Sequence, residues 1–321
     1  MCGGGGRPGG GEVAPGFFGV TFAVRRAGRK VTAVNSSSAA TGFPAFDLVR
    51  LLRTVFDPKP GQRIGILIDL PEPGGVKGFA FLEDSSLSIQ RHAHDVFYRG
   101  LREGGLSALG LEGGELFAYR VTGGSNLDLP DAAWTPEGRE VSLSRDVYPR
   151  YDILLCISTY SATAPLTAFA KQHGFRGATL HGLNEIILSS GLAVDYHEVS
   201  RQAERLRLAM TRADSFEIDF RVQGRAVTLR LDCGGQEAQK SHGLCRGEKP
   251  DVANLPAGEV YFVPVGAEGQ FPRRYEDGSI GMMEVEGGRI RKAAFLSGNP
   301  ATMEAHNRLL EIGRASCRER V

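Results

Sequence analysis

Residues 254–264 hold the carboxylate best placed for chemistry. They read NLPAGEVYFVP, in which Pro256 and Gly258 turn the chain sharply into an apolar run that opens with Glu259. Burying an acidic side chain is costly unless a metal ion or another cation meets it, so this position suggests metal coordination. The other interpretation is a solvated glutamate at a strand edge, and the residues alone leave both open.

Other residues of suitable type have unfavourable spacing. Cys233, His242 and Cys245 have the spacing C-x8-H-x2-C, which lacks the paired knuckles of structural zinc sites. His92 and His94 are two positions apart on a predicted helix, so they point to different faces and are expected at the surface. Neither group is predicted to bind a metal.

Two further histidines are expected to be structural, and the common catalytic and phosphate-binding motifs are missing from the sequence. His181 and His197 flank the stretch between the two predicted domains, and a hydrogen-bonded structural role is the commoner outcome for such histidines. The sequence has no G-x-S-x-G elbow and no glycine loop of the kind that binds phosphates after a strand. Serine-hydrolase and nucleotide-binding functions are therefore disfavoured.

The elements before residue 195 alternate between helix and strand. Apolar spacing predicts helices over residues 46–56, 87–103 and 163–172, and strands over residues 63–70, 116–121, 151–158 and 178–180. A hairpin is predicted ahead of them, over residues 18–24 and 30–34. Near-continuous apolar strands between helices are typical of a parallel sheet, so the predicted fold class is α/β with a mostly parallel sheet.

The pattern changes after residue 195. A long amphipathic helix over residues 196–213 is followed by alternating strands with glycine turns, at 215–220 with 226–231 and at 281–285 with 289–295. This pattern predicts the beginning of an antiparallel α+β domain. The expected division is a flexible leader at 1–15, an α/β domain at 16–195 and an incomplete α+β catalytic domain at 196–311.

Composition excludes several classes of partner. Lysine plus arginine (38) nearly balances aspartate plus glutamate (37), and no basic stripe suggests nucleic acid. The longest apolar runs are far shorter than the roughly 20 residues that cross a membrane. With no secretory signal and five irregularly spaced cysteines, the chain is expected to be a soluble cytoplasmic protein with a small-molecule partner.

Both ends of the sequence are unusual. Residues 1–15 are rich in glycine and are expected to be flexible, or to follow a wrongly chosen start codon. Residues 312–321 read IGRASCRERV, which resembles the in-frame translation of a common sequencing-library adapter; the alternative is a natural basic tail. The natural sequence is therefore expected to stop near Glu311.

The NLPAGEV motif and its flanks resemble a known family. Together with the strands SFEIDF and AVTLRLD and the segment KPGQRIGILID, the motif is similar to the metallo-aminopeptidases of the aminopeptidase T (thermophilic leucyl aminopeptidase) family. The resemblance covers roughly residues 45–311. It implies a metal-dependent aminopeptidase that hydrolyses the N-terminal residues of peptides, with Glu259 as one ligand of a two-metal site.

The same resemblance implies what the site lacks. Two divalent ions, zinc, cobalt or manganese, would be held by Glu259 and by a second glutamate, two histidines, an aspartate and a tyrosine that lie beyond residue 311. The catalytic residues are expected there too, so this chain is expected to be inactive. A peptide is the implied substrate and a homodimer the implied assembly, with neither nucleic acid nor membrane as a partner.

Two other functions stay open. The dihydroxypyridine dioxygenases resemble the same fold but cleave an aromatic ring with a single iron bound by histidine and aspartate. A non-catalytic relative that binds a ligand is the second alternative, favoured by the glycine-rich leader and by the insertion at residues 17–35. A second glutamate and an H-x-D pair beyond residue 311 would distinguish the peptidase from both.

Overall fold

The computed structural model describes the backbone of residues 19–26, 29–33 and 42–316 and the side chains of residues 42–311. The predicted leader at 1–15 and the last five residues lie outside this range. The chain forms two compact units. The α/β unit consists of Ala39–Arg207 and Gln239–Tyr261, and the antiparallel unit consists of Leu208–Ala238 with the described parts of residues 1–38 and 262–321.

Strands and α-helices account for most of the described residues. The strands are β1 (Gly19–Arg26), β2 (Arg29–Ala33), β3 (Arg63–Leu70), β4 (Glu112–Arg120), β5 (Ala132–Trp134), β6 (Glu140–Ser142), β7 (Ile153–Ser158), β8 (Arg176–His181), β9 (Ser215–Val222), β10 (Arg225–Asp232), β11 (Gln239–Ser241), β12 (Val252–Asn254), β13 (Glu259–Tyr261), β14 (Gly266–Arg274), β15 (Ile280–Glu286) and β16 (Arg289–Ser297). The helices are α1 (Leu48–Phe56), α2 (Ser88–His92), α3 (Leu106–Leu109), α4 (Thr163–His173), α5 (Glu185–Ser189), α6 (Tyr196–Thr211) and α7 (Pro300–Ser316).

The α/β unit is built on a mostly parallel sheet. Its strand order is β12-β8-β7-β3-β4-β5-β6, in which the first five strands run parallel and the last two are antiparallel. The chain moves outward from β3 to β4 on one side, and from β7 through β8 to β12 on the other. The strand order therefore reverses between β3 and β7, and the predicted α/β fold class is confirmed.

The apolar runs explain why this sheet lies at the centre of its unit. Residues Ile64–Leu70 are buried along their whole length, as are all six residues of β7. Alternate side chains of β3 enter two separate cores, with Ile66 packed in one and Leu67 in the other. Helices α1 and α2 contribute to the first core and α4 to the second, so the sheet is covered on both faces as the sequence predicted.

Local signals set the limits of α1. The Asp47 carboxylate accepts a hydrogen bond from the Arg50 N–H at 2.8 Å and so caps the first turn. At the other end Asp57 adopts the left-handed conformation with φ of 47°, and its N–H bonds the Arg53 carbonyl. The helix predicted over residues 46–56 thus forms at Leu48–Phe56.

The helix predicted over residues 87–103 is interrupted. After α2, the chain continues through π-helical turns at Ala93–Tyr98 and Leu101–Gly105 before α3. Glu103 and Gly104 leave helical geometry, and Gly104 has a φ of 137°. Glycine makes this break accessible, and the apolar residues that follow let the helical path resume.

The antiparallel unit contains one sheet with the order β16-β15-β14-β10-β9-β1-β2. The predicted hairpins are present as β1–β2, β9–β10 and β15–β16, each antiparallel. The first hairpin, assigned above to residues 16–195, pairs with β9 here, with Gly19 opposite Arg221. Each compact unit is therefore assembled from separated stretches of chain, whereas the sequence predicted contiguous domains.

The backbone of Gly243 lies very close to the side chain of Tyr196 in the α/β unit. It has a φ of 76°, and a Cβ added there would lie 2.3 Å from Cδ1 of the fully buried Tyr196. Gly247 has a similar φ of 84° but open space around it. We expect Gly243→Ala to lower the free energy of unfolding by about 2–4 kcal/mol, since overpacking adds to left-handed strain, and Gly247→Ala by about 1 kcal/mol.

Urea unfolding of both glycine variants checks this expectation. Equal losses for Gly243→Ala and Gly247→Ala would mean that the contact with Tyr196 is unimportant, because the two variants share the backbone strain and differ in that contact.

None of the described helices is both long enough and apolar enough to span a lipid bilayer.

Candidate functional site

The NLPAGEV motif begins at the carboxyl edge of the parallel sheet. Strand β12 ends at Asn254, whose side-chain oxygen lies 3.3 Å from the hydroxyl of its partner Thr179 on the neighbouring strand β8. The next residue, Leu255, is buried, and its N–H donates to the Thr179 carbonyl at 2.8 Å. The Leu255–Pro256 peptide bond that follows is cis. In open α/β sheets this edge is where ligands commonly bind.

Glu259 is the first residue of β13, as the sequence predicted for the start of a strand. This strand pairs with β11 in an antiparallel two-stranded ribbon that places Glu259 opposite Ser241. Gly258, with a φ of 133°, donates its N–H to the Ser241 carbonyl at 2.9 Å and fixes the turn just before the carboxylate.

The ribbon is tied to helix α6 by polar contacts. Lys240 on β11 forms an ion pair with Glu204 at 2.9 Å. Hydrogen bonds from Arg207 and Lys240 lower the pKa of Glu204 to about 2. His242 follows β11, and its Nδ1 lies 3.2 Å from the Ser200 hydroxyl; burial lowers the pKa of that imidazole. These contacts orient the backbone of the ribbon that carries Glu259.

The Glu259 side chain is exposed, which agrees with the solvated strand-edge glutamate, one of the two interpretations that the sequence left open. The apolar run after it forms only a three-residue strand, and Tyr261 and Val263 are themselves half exposed. Within residues 42–311 the carboxylate has neither an ion pair nor a side-chain hydrogen bond. No cluster of three histidine, cysteine or acidic side chains able to hold a metal forms among the described residues. Its role as a metal ligand stays a prediction.

Two cysteines and one histidine that the sequence analysis considered as metal ligands are buried inside the fold. Cys233 and Cys245 are buried free thiols, and burial raises the pKa of each to about 11. His94 is buried against Phe79 and stacked on Tyr98, so its expected surface position is wrong.

The other three histidines considered in the sequence analysis lie nearer the surface. His92 is partly buried, with Nδ1 at 3.7 Å from a carboxylate oxygen of Glu185. His181 and His197 are exposed.

Asp69 is a buried carboxyl at the carboxyl edge of the sheet that the sequence analysis did not single out. It lies near the end of β3, at the point where the strand order reverses, and is 1% exposed. Its Oδ1 accepts hydrogen bonds from the Gln90 amide at 2.7 Å and from the Thr159 hydroxyl at 3.2 Å. The Thr159 N–H also points at both carboxylate oxygens, at 3.0 and 2.9 Å. Asp69 therefore fixes the loop after β7 across the reversal point.

Burial decides the electrostatics of this carboxyl. Desolvation raises the pKa of Asp69 above its ordinary value, although the hydrogen bonds from Thr159 and Gln90 act in the opposite direction. The same burial raises the pKa of Cys156, on the neighbouring strand, to about 12. A signal was present in the sequence: the apolar run IGILID ends in a carboxylate, and such a residue at a strand end points to the carboxyl edge.

Comparisons with known proteins add a distant structural likeness. Neither the family models nor the curated proteins give a match. Among solved structures, a protein described as 2,5-dihydroxypyridine dioxygenase from Pseudomonas putida KT2440 is similar to this chain at 13% sequence identity and a TM-score of 0.49. The alignment covers 82% of this chain and 69% of that one.

Proposed function

We propose that the protein is a metal-dependent aminopeptidase in which Glu259 supplies one metal ligand and the other ligands come from outside residues 42–311. The observation that supports this is the position of the NLPAGEV motif. It leaves the carboxyl edge of the parallel sheet at Asn254, and five residues later it presents an exposed carboxylate that has no side-chain partner within residues 42–311.

The residues around Glu259 fit the role of one oxygen ligand. The exposed carboxylate can approach an ion without breaking a side-chain contact within residues 42–311, and the pairing of β13 with β11 fixes the backbone beneath it. When bound, two divalent ions of zinc, cobalt or manganese would polarise a peptide carbonyl and activate water. Glu259 would then hold and orient an ion, because a carboxylate is a common zinc and manganese ligand.

An assay of leucine release from leucyl amide by the 321-residue chain tests whether the described residues are sufficient for activity. We expect no turnover with added zinc, cobalt or manganese, because the described residues provide Glu259 without further ligands. Release of leucine by this chain would show that the described residues are sufficient and would contradict the proposed origin of the other ligands.

The role of Glu259 is tested in a chain that carries the additional ligands. There, Glu259→Gln should reduce leucine release by at least about 100-fold, because a lost ligand costs at least as much as a lost supporting contact. Glu112→Gln is the matched control, since Glu112 is also an exposed carboxylate at the first residue of a strand. Equal activity of the two variants would remove Glu259 from the site.

The substrate, the assembly and the cellular location are proposals as well. We propose a peptide substrate and a homodimeric assembly, both of which follow from the sequence resemblance. A cytoplasmic location is proposed because the cysteines are irregularly spaced, and Cys156, Cys233 and Cys245 are free thiols.

A further inference from the structure

The ribbon that carries Glu259 is a small element of the α/β unit. Its strands β11 and β13 have three residues each and, among the described residues, pair only with each other, so neither joins a seven-stranded sheet. A two-stranded ribbon is at best marginally stable by itself. Its position therefore depends on the contacts that attach it to its surroundings, and helix α6 provides several of them.

Strand alternation directs one face of the ribbon towards α6. Lys240 on β11 forms its ion pair with Glu204 of α6 at 2.9 Å, and Val260 lies opposite Lys240 in the register. Successive side chains of a strand point to opposite faces, so Glu259 lies on the other face, where it is exposed. The ribbon thus has an inner face on α6 and an outer face that presents the candidate metal ligand.

The end of the ribbon where β11 finishes and β13 starts also contacts the first two turns of α6. After β11, Nδ1 of His242 lies 3.2 Å from the Ser200 hydroxyl. Before β13, a Cβ added to Gly258 would lie 3.3 Å from a methyl group of Val199. The Gly258 N–H donates to the Ser241 carbonyl at 2.9 Å and joins the two strands at this end. His242 is therefore one residue away from the hydrogen bond that closes the ribbon.

His242 is the group in this attachment whose charge changes near neutral pH, because histidine ordinarily gains its proton between pH 5 and 8. Burial lowers the pKa of His242 below its usual value, and the ammonium group of Lys240 adds to this effect. The carboxylates of Asp251 and Glu204 oppose the shift with smaller effects. Glu204 is already shared between Arg207 and Lys240, whose hydrogen bonds lower its pKa to about 2. The attached ribbon therefore favours the neutral imidazole.

We propose that the ribbon is a pH-sensitive element that is held on α6 while His242 is neutral and is loosened when His242 is protonated. The added charge is disfavoured on the half-buried inner face beside Lys240, and it is solvated when the ribbon moves away from α6. Acid therefore favours local opening, and the backbone beneath Glu259 becomes less firmly held. The inference rests on these contacts and does not depend on the proposed peptidase activity.

Amide hydrogen exchange of Gly258, followed by NMR from pH 5 to pH 8 on the 321-residue chain, tests the proposal. In the open state the imidazole has its ordinary pKa of about 6.5, which lies above its lowered pKa in the attached state, so the open state binds the proton more tightly. After correction for the intrinsic rate at each pH, we expect exchange to be at least about threefold faster at pH 5 than at pH 8. Corrected exchange that does not depend on pH would overturn the proposal.

Two variants assign the effect to this imidazole. His242→Gln retains a polar side chain beside Ser200 but cannot titrate, so the increase in exchange at low pH should be lost. His197→Gln is the matched control, because His197 is an exposed histidine in the first turn of α6, and this variant should keep the increase. An increase of the same size in His242→Gln would mean that another group is responsible, which would contradict the proposal.

The ring signal of His242 in the unmodified protein gives a second test that needs no substitution. Its NMR titration should give a pKa below the usual histidine value of about 6.5. A measured pKa at or above that value would show that the attached ribbon does not disfavour the protonated imidazole. That result would overturn the proposal even if His242→Gln failed to fold.

Discussion

Replacement of Asp69 by alanine is expected to lower the free energy of unfolding by about 2–4 kcal/mol, because the loop after β7 loses its acceptor. The Thr159 N–H and hydroxyl both donate to this carboxylate, and the Gln90 amide does so from α2. Gln90 keeps a second acceptor in the Asp69 carbonyl at 2.9 Å, so most of the loss falls on Thr159. Urea denaturation measures the difference.

Asp128→Ala is the matched control for this change. Asp128 is exposed in the same unit, and its replacement should change the free energy of unfolding by no more than about 0.5 kcal/mol. A loss at Asp69 as small as that at Asp128 would mean that the carboxylate does not hold the strand reversal point together.

The stability contributed by Asp69 should also depend on pH. Burial raises its pKa, so the folded state binds the proton more tightly than the unfolded chain does. Stability is therefore expected to fall as the pH rises from the unfolded value of about 3.9 through the folded value. Asp69→Asn cannot titrate, so the wild-type protein should lose stability relative to that variant over this window. A difference of the opposite sign would show that the hydrogen bonds outweigh desolvation.

Arg176→Met is expected to cost about 3–5 kcal/mol, because it leaves buried acceptors without a donor. The side chain is 5% exposed, and its guanidinium donates to the carbonyls of Phe56 and Cys245. It also donates to the Gln62 side chain at 3.0 Å. One cation thus joins the end of α1, the start of β3 and the segment before β12.

Two further variants separate charge from geometry at this position. Arg176→Lys retains the charge but cannot present the planar fork, so we expect an intermediate loss in urea denaturation. Arg205→Met removes an exposed arginine and should have an effect below about 0.5 kcal/mol. If Arg176→Met lowered stability no more than Arg205→Met, the three contacts would not be supporting the unit.

Periodicity was sufficient to predict the parallel sheet. Strand β3 and strand β7 are apolar on both faces and flanked by helices, so their sequences report a two-sided core directly. The pairing of β1 with β9 could not be predicted, because register between distant segments leaves no local pattern. Strand β14 was missed because glycine and Pro272 interrupt its alternation.

For the candidate site, the sequence predicted the backbone position of Glu259 but not its exposure. Proline and glycine correctly placed Glu259 at the start of a strand, because both act through local backbone geometry. Its exposure depends on which elements cover the strand, and the local sequence does not contain that information. The contacts of Asp69 and Arg176 join positions far apart in the chain, so they became visible only in the folded structure.

The full reading frame of the source DNA tests the proposed function most directly. We predict that residues outside 42–311 include a second glutamate, a tyrosine and two histidines, one of them in an H-x-D pair, to complete a two-metal site with Glu259. A frame with histidines and aspartate but no second glutamate would favour the iron dioxygenase alternative. A frame that adds none of these residues would contradict the aminopeptidase proposal and leave a non-catalytic binding protein.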